Sequence, residues 1–269
     1  MKKRRHAAFT LVEMLVTITL ITTLGTLGFA GVRVAREKAR LTVEINAARN
    51  LITAYLGNAT ENGGRVLPGY QTDPAAVNLE GRLLSEPMNA RYPWRLAPLV
   101  PKVEGILLYN GTESVLADPN RDYLVSVHPN LGINATLVGG HFGSGSPLAP
   151  TPRIVDAYGK FYLSQLAESD DPGKLVVFAS ARSAKDRPGY FEIRSPRLTG
   201  PVWSSGKFSE DQSASQHGFV DFRWSGKAVT VMLEGNVELL DEMQLRDMRR
   251  WSHQAARAND PDFTIGRSQ

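Results

Sequence analysis

Hydrophobic and polar positions divide the 269-residue chain into three unequal stretches. The first is Met14 to Val32, 19 consecutive residues without a charge, followed at once by Arg33. At ~1.5 Å per residue, a helix of that length comes close to the ~30 Å hydrocarbon thickness of a bilayer, so the run predicts a membrane-spanning helix. Thr17, Thr19, Thr22, Thr23 and Thr26, with Gly25, Gly28 and Gly31, are poor formers of soluble helices. In lipid, threonine hydroxyls can bond back to helix carbonyls, and small residues let neighbouring helices approach. The second stretch runs from Arg33 to Gly57. Here Val34, Lys38, Leu41, Ile45, Ala48, Ile52 and Leu56 recur mostly at three- and four-residue steps with charges between them, the period of an amphipathic helix. Gly57 and Asn58 predict its end, because both adopt the left-handed C-cap conformation at low cost. One helix from about 9 to 56 would be ~70 Å long.

The third stretch has shorter periods. Residues 58 to 91 are rich in Gly, Pro and Asn and read as a surface connection. Tyr92, Trp94, Leu96, Leu99 and Val100 predict a short helix bounded by Pro93 and Pro101, an aromatic anchor for the stem. Residues 106 to 117 fit a helix or a strand. From 123 onward come YLVSVH, NATLVGG, KLVVFASAR, YFEIRS, FVDFRW, AVTVML and NVELL, short runs rich in Val, Phe and Leu between turn formers, which predict an antiparallel sheet. Ser225-Gly226 and Glu234-Gly235-Asn236 supply the last turns. Met243, Leu245, Met248 and Trp251 then predict a C-terminal helix with Asp241 as its N-cap. The expected fold is α+β: a long N-terminal hydrophobic helix, a membrane span continuing into an amphipathic stem, packed against a mainly antiparallel β-sheet head with a C-terminal helix.

Composition changes the picture in two places. Lys and Arg number 31 against 27 Asp and Glu, a formal +4, but Lys2, Lys3, Arg4 and Arg5 stand together at the N-terminus, and without them the charges balance. The body has no basic excess with which to neutralise phosphates, so nucleic acid is not an expected partner. By the positive-inside rule the four cations hold the N-terminus on the cytoplasmic side. Cysteine is absent, which excludes a disulfide framework, a thiolate metal site and a cysteine nucleophile.

One residue breaks the apolar logic of the first stretch. Glu13 stands between Phe9-Thr10-Leu11-Val12 and the long run, where an ionised carboxylate costs ~2.5 kcal/mol or more unless it is paired or near the interface. Residues 2 to 16, KKRRHAAFTLVEMLV, resemble the leader and cleavage region of type IV prepilins and type II secretion pseudopilins. The resemblance implies cleavage by a prepilin peptidase between Ala8 and Phe9, N-methylation of Phe9, and Glu13 as the fifth mature residue. Ala8 stands where the family usually has Gly. In the family that glutamate is thought to meet the α-amino group of a neighbouring subunit, so Glu13 is implied to be an assembly residue. The implied domains are a basic leader over 1–8, a transmembrane and stem helix over 9–57, and a globular α+β head over 58–269.

A second resemblance covers the head. YPWRLAPLV, LVVFASAR, His217-Gly218 and VMLEGNVELL look like large pseudopilin-like proteins with a β-rich head, whose C-terminal region pairs a His with an Asp-Gly turn; Glu234-Gly235 stands where the family has Asp-Gly.

Catalytic constellations are missing. Asp118, Asn120 and Asp122 open like a calcium loop, but Tyr123 takes the position that needs Gly and Pro129 that of the bidentate Glu, which excludes an EF-hand. A looser calcium site there, or at Glu168, Asp170 and Asp171, is the only cofactor expectation. His6, His128, His141, His217 and His253 lie far apart without metal-ligand spacing. No G-x-S-x-G elbow occurs, and the glycine-rich run from Gly139 lacks the lysine of a P-loop. The expected function is thus a non-enzymatic subunit of a type IV pilus-like or type II secretion-like filament. Its partners would be a prepilin peptidase, other pilin or pseudopilin subunits and the lipid bilayer, and it would sit in the inner membrane with a periplasmic head. The alternative is an exported or membrane-anchored module binding a glycan or another ligand, with the helix only as signal or anchor.

Overall fold

The computed structural model describes residues 10–267, with the side chains of residues 25 and 27–30 outside the description. Ala8, Phe9 and the basic cluster fall outside the described residues. The chain divides into two compact units, Met1–Thr42 and Val43–Gln269. Helix α1, Leu11–Glu61, supplies residues to both.

In the first unit the described side chains of α1 are exposed except for the half-buried Leu41, among them Leu11, Val12, Leu15, Ile18, Ile21 and Leu24. Among the described residues no helix is long and apolar enough to cross a membrane. The uncharged run Met14–Val32 includes residues 25 and 27–30, whose side chains lie outside the described ones. The threonines are satisfied within the helix. Thr17 Oγ1 donates to the Glu13 carbonyl, Thr19 to Leu15 at 2.8 Å, Thr22 to Ile18 at 2.9 Å, Thr23 to Thr19 at 2.7 Å and Thr26 to Thr23 at 2.9 Å. Such back-bonding removes the unsatisfied donors that would oppose entry into an apolar phase.

The second unit begins with the rest of α1. The helix passes through Gly57 and Asn58 and ends at Glu61. It ends there because Gly63 (φ 68°) and Gly64 (φ 83°) supply the left-handed backbone, letting Gly64 N reach the Ala59 carbonyl at 2.8 Å, a Schellman-type closure. Short helices α2 (Tyr92–Leu96), α3 (Val103–Ile106) and α4 (Arg121–Val127) follow, then strand β1 (Leu131–Asn134) and α5 (Pro152–Tyr158). The remaining elements are β2 (Val176–Ser180), β3 (Arg182–Ala184), β4 (Arg187–Pro188), β5 (Glu192–Ile193), β6 (Lys227–Met232), β7 (Val237–Asp241), α6 (Glu242–Leu245) and α7 (His253–Ala258). The main sheet has the order β5-β1-β2-β6-β7 and is antiparallel except for the β1–β5 pair.

The sheet is buried on both sides, which is why β2 has no polar face. A bulge between Val176 and Phe178 shifts the alternation along β2. Phe178 meets Tyr55 of α1 edge-on at 5.5 Å and Tyr92 of α2 at 5.3 Å, whereas Ala179 and Ala181 join Ala228, Met232 and Leu240 in a cluster with Trp203, Phe222 and Trp251. The anchor of residues 92–96 thus reaches the stem through Phe178.

Four expected elements differ. NATLVGG keeps only Asn134 in β1 and a bridge from Val138 to Leu163, because residues 135–137 form a turn in which Val138 N bonds the Asn134 carbonyl at 3.0 Å. Tyr123–His128 is part of a helix and the turn after it rather than a strand; Val125, Ser126 and Val127 are consecutively buried, so periodicity could not separate the two forms. FVDFRW keeps two isolated bridges, Val220 to Ala181 and Trp224 to Lys227, rather than a strand, since Phe219 takes φ 63°. The C-terminal helix starts as expected, with a capping box between Asp241 and Gln244, but breaks into α6, a 3-10 turn at Met248–Arg250 and α7 because Asp247 and Ser252 each cap a new start.

Candidate functional site

At the N-terminal end of α1, Thr10 and Glu13 form a reciprocal pair. Glu13 N donates to Thr10 Oγ1 at 3.2 Å, and Glu13 Oε2 accepts from Thr10 N at 2.9 Å and from Thr10 Oγ1 at 2.9 Å. This is a capping box: two helix-end donors are satisfied, and a carboxylate is placed at the positive end of the helix dipole. The F-T-L-V-E string therefore encodes a helix start as well as a charge, a signal present in the sequence as Thr followed three residues later by Glu. The box fixes Glu13 beside the Thr10 amide, one residue from Phe9.

The second unit holds a buried polar cluster that sequence reasoning did not find. Glu44 of α1 is 0% exposed. Its Oε1 accepts from Ser180 Oγ of β2, and the same Ser180 oxygen accepts from Val229 N at 2.9 Å. Glu44 Oε2 lies 3.9 Å from Arg223 Nη1, while Arg223 Nε lies 3.0 Å from Asp221 Oδ2 and Nη2 donates to the Ala181 carbonyl at 2.5 Å. Burial works against the Arg223 cation, but Glu44 and then Asp221 outweigh it and hold its pKa above the usual value. These bonds and ion pairs tie Glu44 of α1 to β2 and to Arg223, although Glu44 Oε2 and Arg223 Nε meet no hydrogen-bond partner, so the cluster registers α1 on the sheet. A buried ion pair of this kind contributes more to uniqueness of packing than to stability.

Two histidines have carboxylate neighbours. His141 Nδ1 accepts from Gly143 N at 3.2 Å, which assigns the proton to Nε2, 3.5 Å from Glu192 Oε2. Tyr70 stacks on the ring at 4.6 Å, and Arg194 donates to Glu192 Oε1 from Nη2 at 2.6 Å. Burial pushes His141 down to about 4 and pushes Glu192 up. Both side chains are nearly inaccessible, 3% and 2% exposed, and are held between Gly143, Tyr70 and Arg194. His217 Nε2 lies 3.4 Å from Glu242 Oε1 of α6. Glu234 and Gly235, by contrast, form the β6–β7 turn, with Gly235 N bonded to the Met232 carbonyl at 2.9 Å. The carboxylate that faces this histidine is thus Glu242.

The calcium candidates are used otherwise. Asp118 Oδ1 accepts from Asn120 N at 2.7 Å, and Asp122 Oδ2 accepts from Asn78 Nδ2 at 2.9 Å, so the triplet closes turns. Glu168 pairs with Lys160, Asp170 with Arg257 and Asp171 with Lys174. Among the described residues no group of three or more His, Asp and Glu side chains could hold a metal ion.

Comparison with known proteins speaks to the N-terminal segment alone. The chain has no match among curated proteins or among solved structures. Residues 3–29 match the prokaryotic N-terminal methylation motif, so the chain carries the prepilin-type cleavage and methylation segment found in type IV pilin- and pseudopilin-like proteins.

Proposed function

We propose that the chain is a pilin- or pseudopilin-like structural subunit of a type IV pilus-like or type II secretion-like filament. It is made as a precursor, cut between Ala8 and Phe9 by a prepilin peptidase and methylated at Phe9. The segment from 9 to 32 then anchors it in the inner membrane, with residues 58–269 as a periplasmic head. The observation that carries this reading is the methylation motif at residues 3–29. It is supported by the exposed apolar helix that follows, whose threonine hydroxyls bond their own carbonyls, leaving methyl-rich surface for lipid or for neighbouring subunits.

Glu13 has two roles in this reading. Within one subunit it completes the capping box with Thr10. In the filament it receives the Phe9 α-amine of the next copy, since an unpaired charge in lipid is costly and a paired one much less so. The test is replacement of Glu13 by Gln or Leu, followed by cysteine cross-linking between subunits and by recovery of sheared filaments. Membrane insertion and leader removal should persist while cross-linking falls to background. Normal assembly of both variants would overturn the pairing.

A further inference from the structure

The second unit contains an open cavity of about 440 Å³ between the end of α1 and the loops around Val66, Gly139 and Tyr162. Arg95 of α2 lines it and is largely buried, and burial pushes its pKa down to about 10. Its guanidinium is only partly used. Nη1 donates to the Pro68 carbonyl at 2.7 Å and to that of Ala90 at 3.4 Å, Nε finds no acceptor, and among the described residues no carboxylate reaches it within ion-pair distance. Asp73, which lines the same cavity, turns Oδ1 to Ala75 N at 2.9 Å. Asp73 is the leading charge that works against burial at Arg95, but the lining sets two cations, Arg65 and Arg95, against that single carboxylate; the positive excess suits an anion, and a guanidinium fork suits a carboxylate best.

The rest of the wall narrows the class of ligand. Phe142, 42% exposed, stands edge-to-face against Tyr162 at 5.9 Å. Gly140, at φ 85°, leaves room for both rings, since a Cβ there would come within 3.0 and 3.2 Å of them. Asn58, Asn62 and Gln71 also line it; Asn62 Nδ2 donates to the Asn58 carbonyl at 2.7 Å, and its Oδ1 remains as an acceptor. Aromatic rings offer a surface to the C–H face of a sugar, and amides bond hydroxyls in either direction. An extended peptide would need a free strand edge, but the backbone here is already paired: Val66 N with the Ser164 carbonyl at 3.0 Å, Gly139 N with that of Leu163 at 2.8 Å and Gly69 N with that of Gly140 at 2.9 Å.

We propose that this cavity binds an acidic saccharide, with the uronate carboxylate on Arg95, the ring against Phe142 and Tyr162, and the hydroxyls on the Asn58, Asn62 and Gln71 amides. The inference does not depend on the filament reading, because it concerns the second unit alone. The test uses the full chain in detergent, titrated calorimetrically with digalacturonate, with neutral digalactose and with a glutamate-rich hexapeptide. Digalacturonate should bind, digalactose roughly tenfold or more weakly for want of the charge-assisted hydrogen bonds, and the peptide not measurably. Arg95→Met should bring digalacturonate down to the level of digalactose. Because Arg95 also holds two loop carbonyls, Phe142→Ala, an exposed change, serves as the second variant and should weaken both sugars together. Equal binding of the two sugars, binding of the peptide alone, indifference to Phe142→Ala, or no binding of digalacturonate would each overturn the proposal.

Discussion

Glu13 and Glu44 are carboxylates on one helix with opposite surroundings. Glu13 is exposed and bonded to Thr10, whereas Glu44 is fully buried against Ser180 and near Arg223. Removing one partner of a buried pair leaves the other uncompensated, so Glu44→Ala should cost about 3 kcal/mol in chemical denaturation of the full chain, and Glu44→Gln, which keeps an acceptor for Ser180, clearly less. His141 sets a pH dependence. Its folded pKa of about 4 lies below the ordinary 6.5, so its contribution is fully present above pH ~6.5 and is lost as pH falls toward ~4, where the unfolded chain binds the extra proton. Glu192, pushed up by burial, acts in the opposite sense on acidification. His141→Phe should therefore flatten the fall in melting temperature between pH 6.5 and 4. An unchanged fall would assign it to His128 and His253, whose pKa values burial also lowers. Glu13 was legible in the sequence because a charge stands out against an apolar run. Glu44 was not, because it follows Glu37, Lys38 and Arg40 in a stretch where charges are ordinary; its burial is decided by Ser180 and Arg223, far along the chain.

Among elements, α1 gives the clearest contrast between local signal and tertiary outcome. Gly57 has the residue type of a helix stop, yet it lies inside the helix, and a Cβ there would meet nothing within 4 Å. The stop is set by Gly63 and Gly64, whose positive φ the closure to Ala59 requires. Two alanine variants should then differ in sign. Gly57→Ala should stabilise by about 0.5–1 kcal/mol, because an exposed helix-interior glycine loses backbone entropy that alanine does not. Gly64→Ala should destabilise by about 1 kcal/mol, because its φ of 83° strains any residue with a Cβ. Urea unfolding of both variants is the check. The same contrast runs through the head. The hairpin β6–β7 was readable from its short Val- and Leu-rich runs and the Glu234-Gly235-Asn236 turn between them. The helix α4 was not, since its three consecutively buried residues Val125, Ser126 and Val127 carry no period. The buried stripe of the stem was read only in part: Ala48 and Ile52 are buried as expected, but Leu51, Tyr55 and Glu44 share that surface because the sheet packs between the sites the apolar steps mark.

At the scale of the whole molecule, the N-terminal charge pattern and motif carry the functional reading. The four leader cations account for the entire formal +4, so removal of residues 1–8 would leave a mature chain whose side-chain charges balance. Ala8 stands at the proposed cut, where a small side chain is required. In processing by a prepilin peptidase, Ala8→Gly should be cleaved at least as fast as the natural sequence, and Ala8→Leu should accumulate as precursor on a denaturing gel. The motif at 3–29 was legible because it is linear and owes nothing to tertiary contacts. The cavity beside Arg95 was not, because Asn58, Arg95, Phe142 and Tyr162 meet only in the fold. The measurement that bears most directly on the proposed function is mass spectrometry of the N-terminal peptide of the protein recovered from membranes of a host with prepilin peptidase. The predicted peptide begins at Phe9 and carries one methyl group on its α-amine. A peptide beginning downstream of Phe9 or at an intact Met1 would contradict the account.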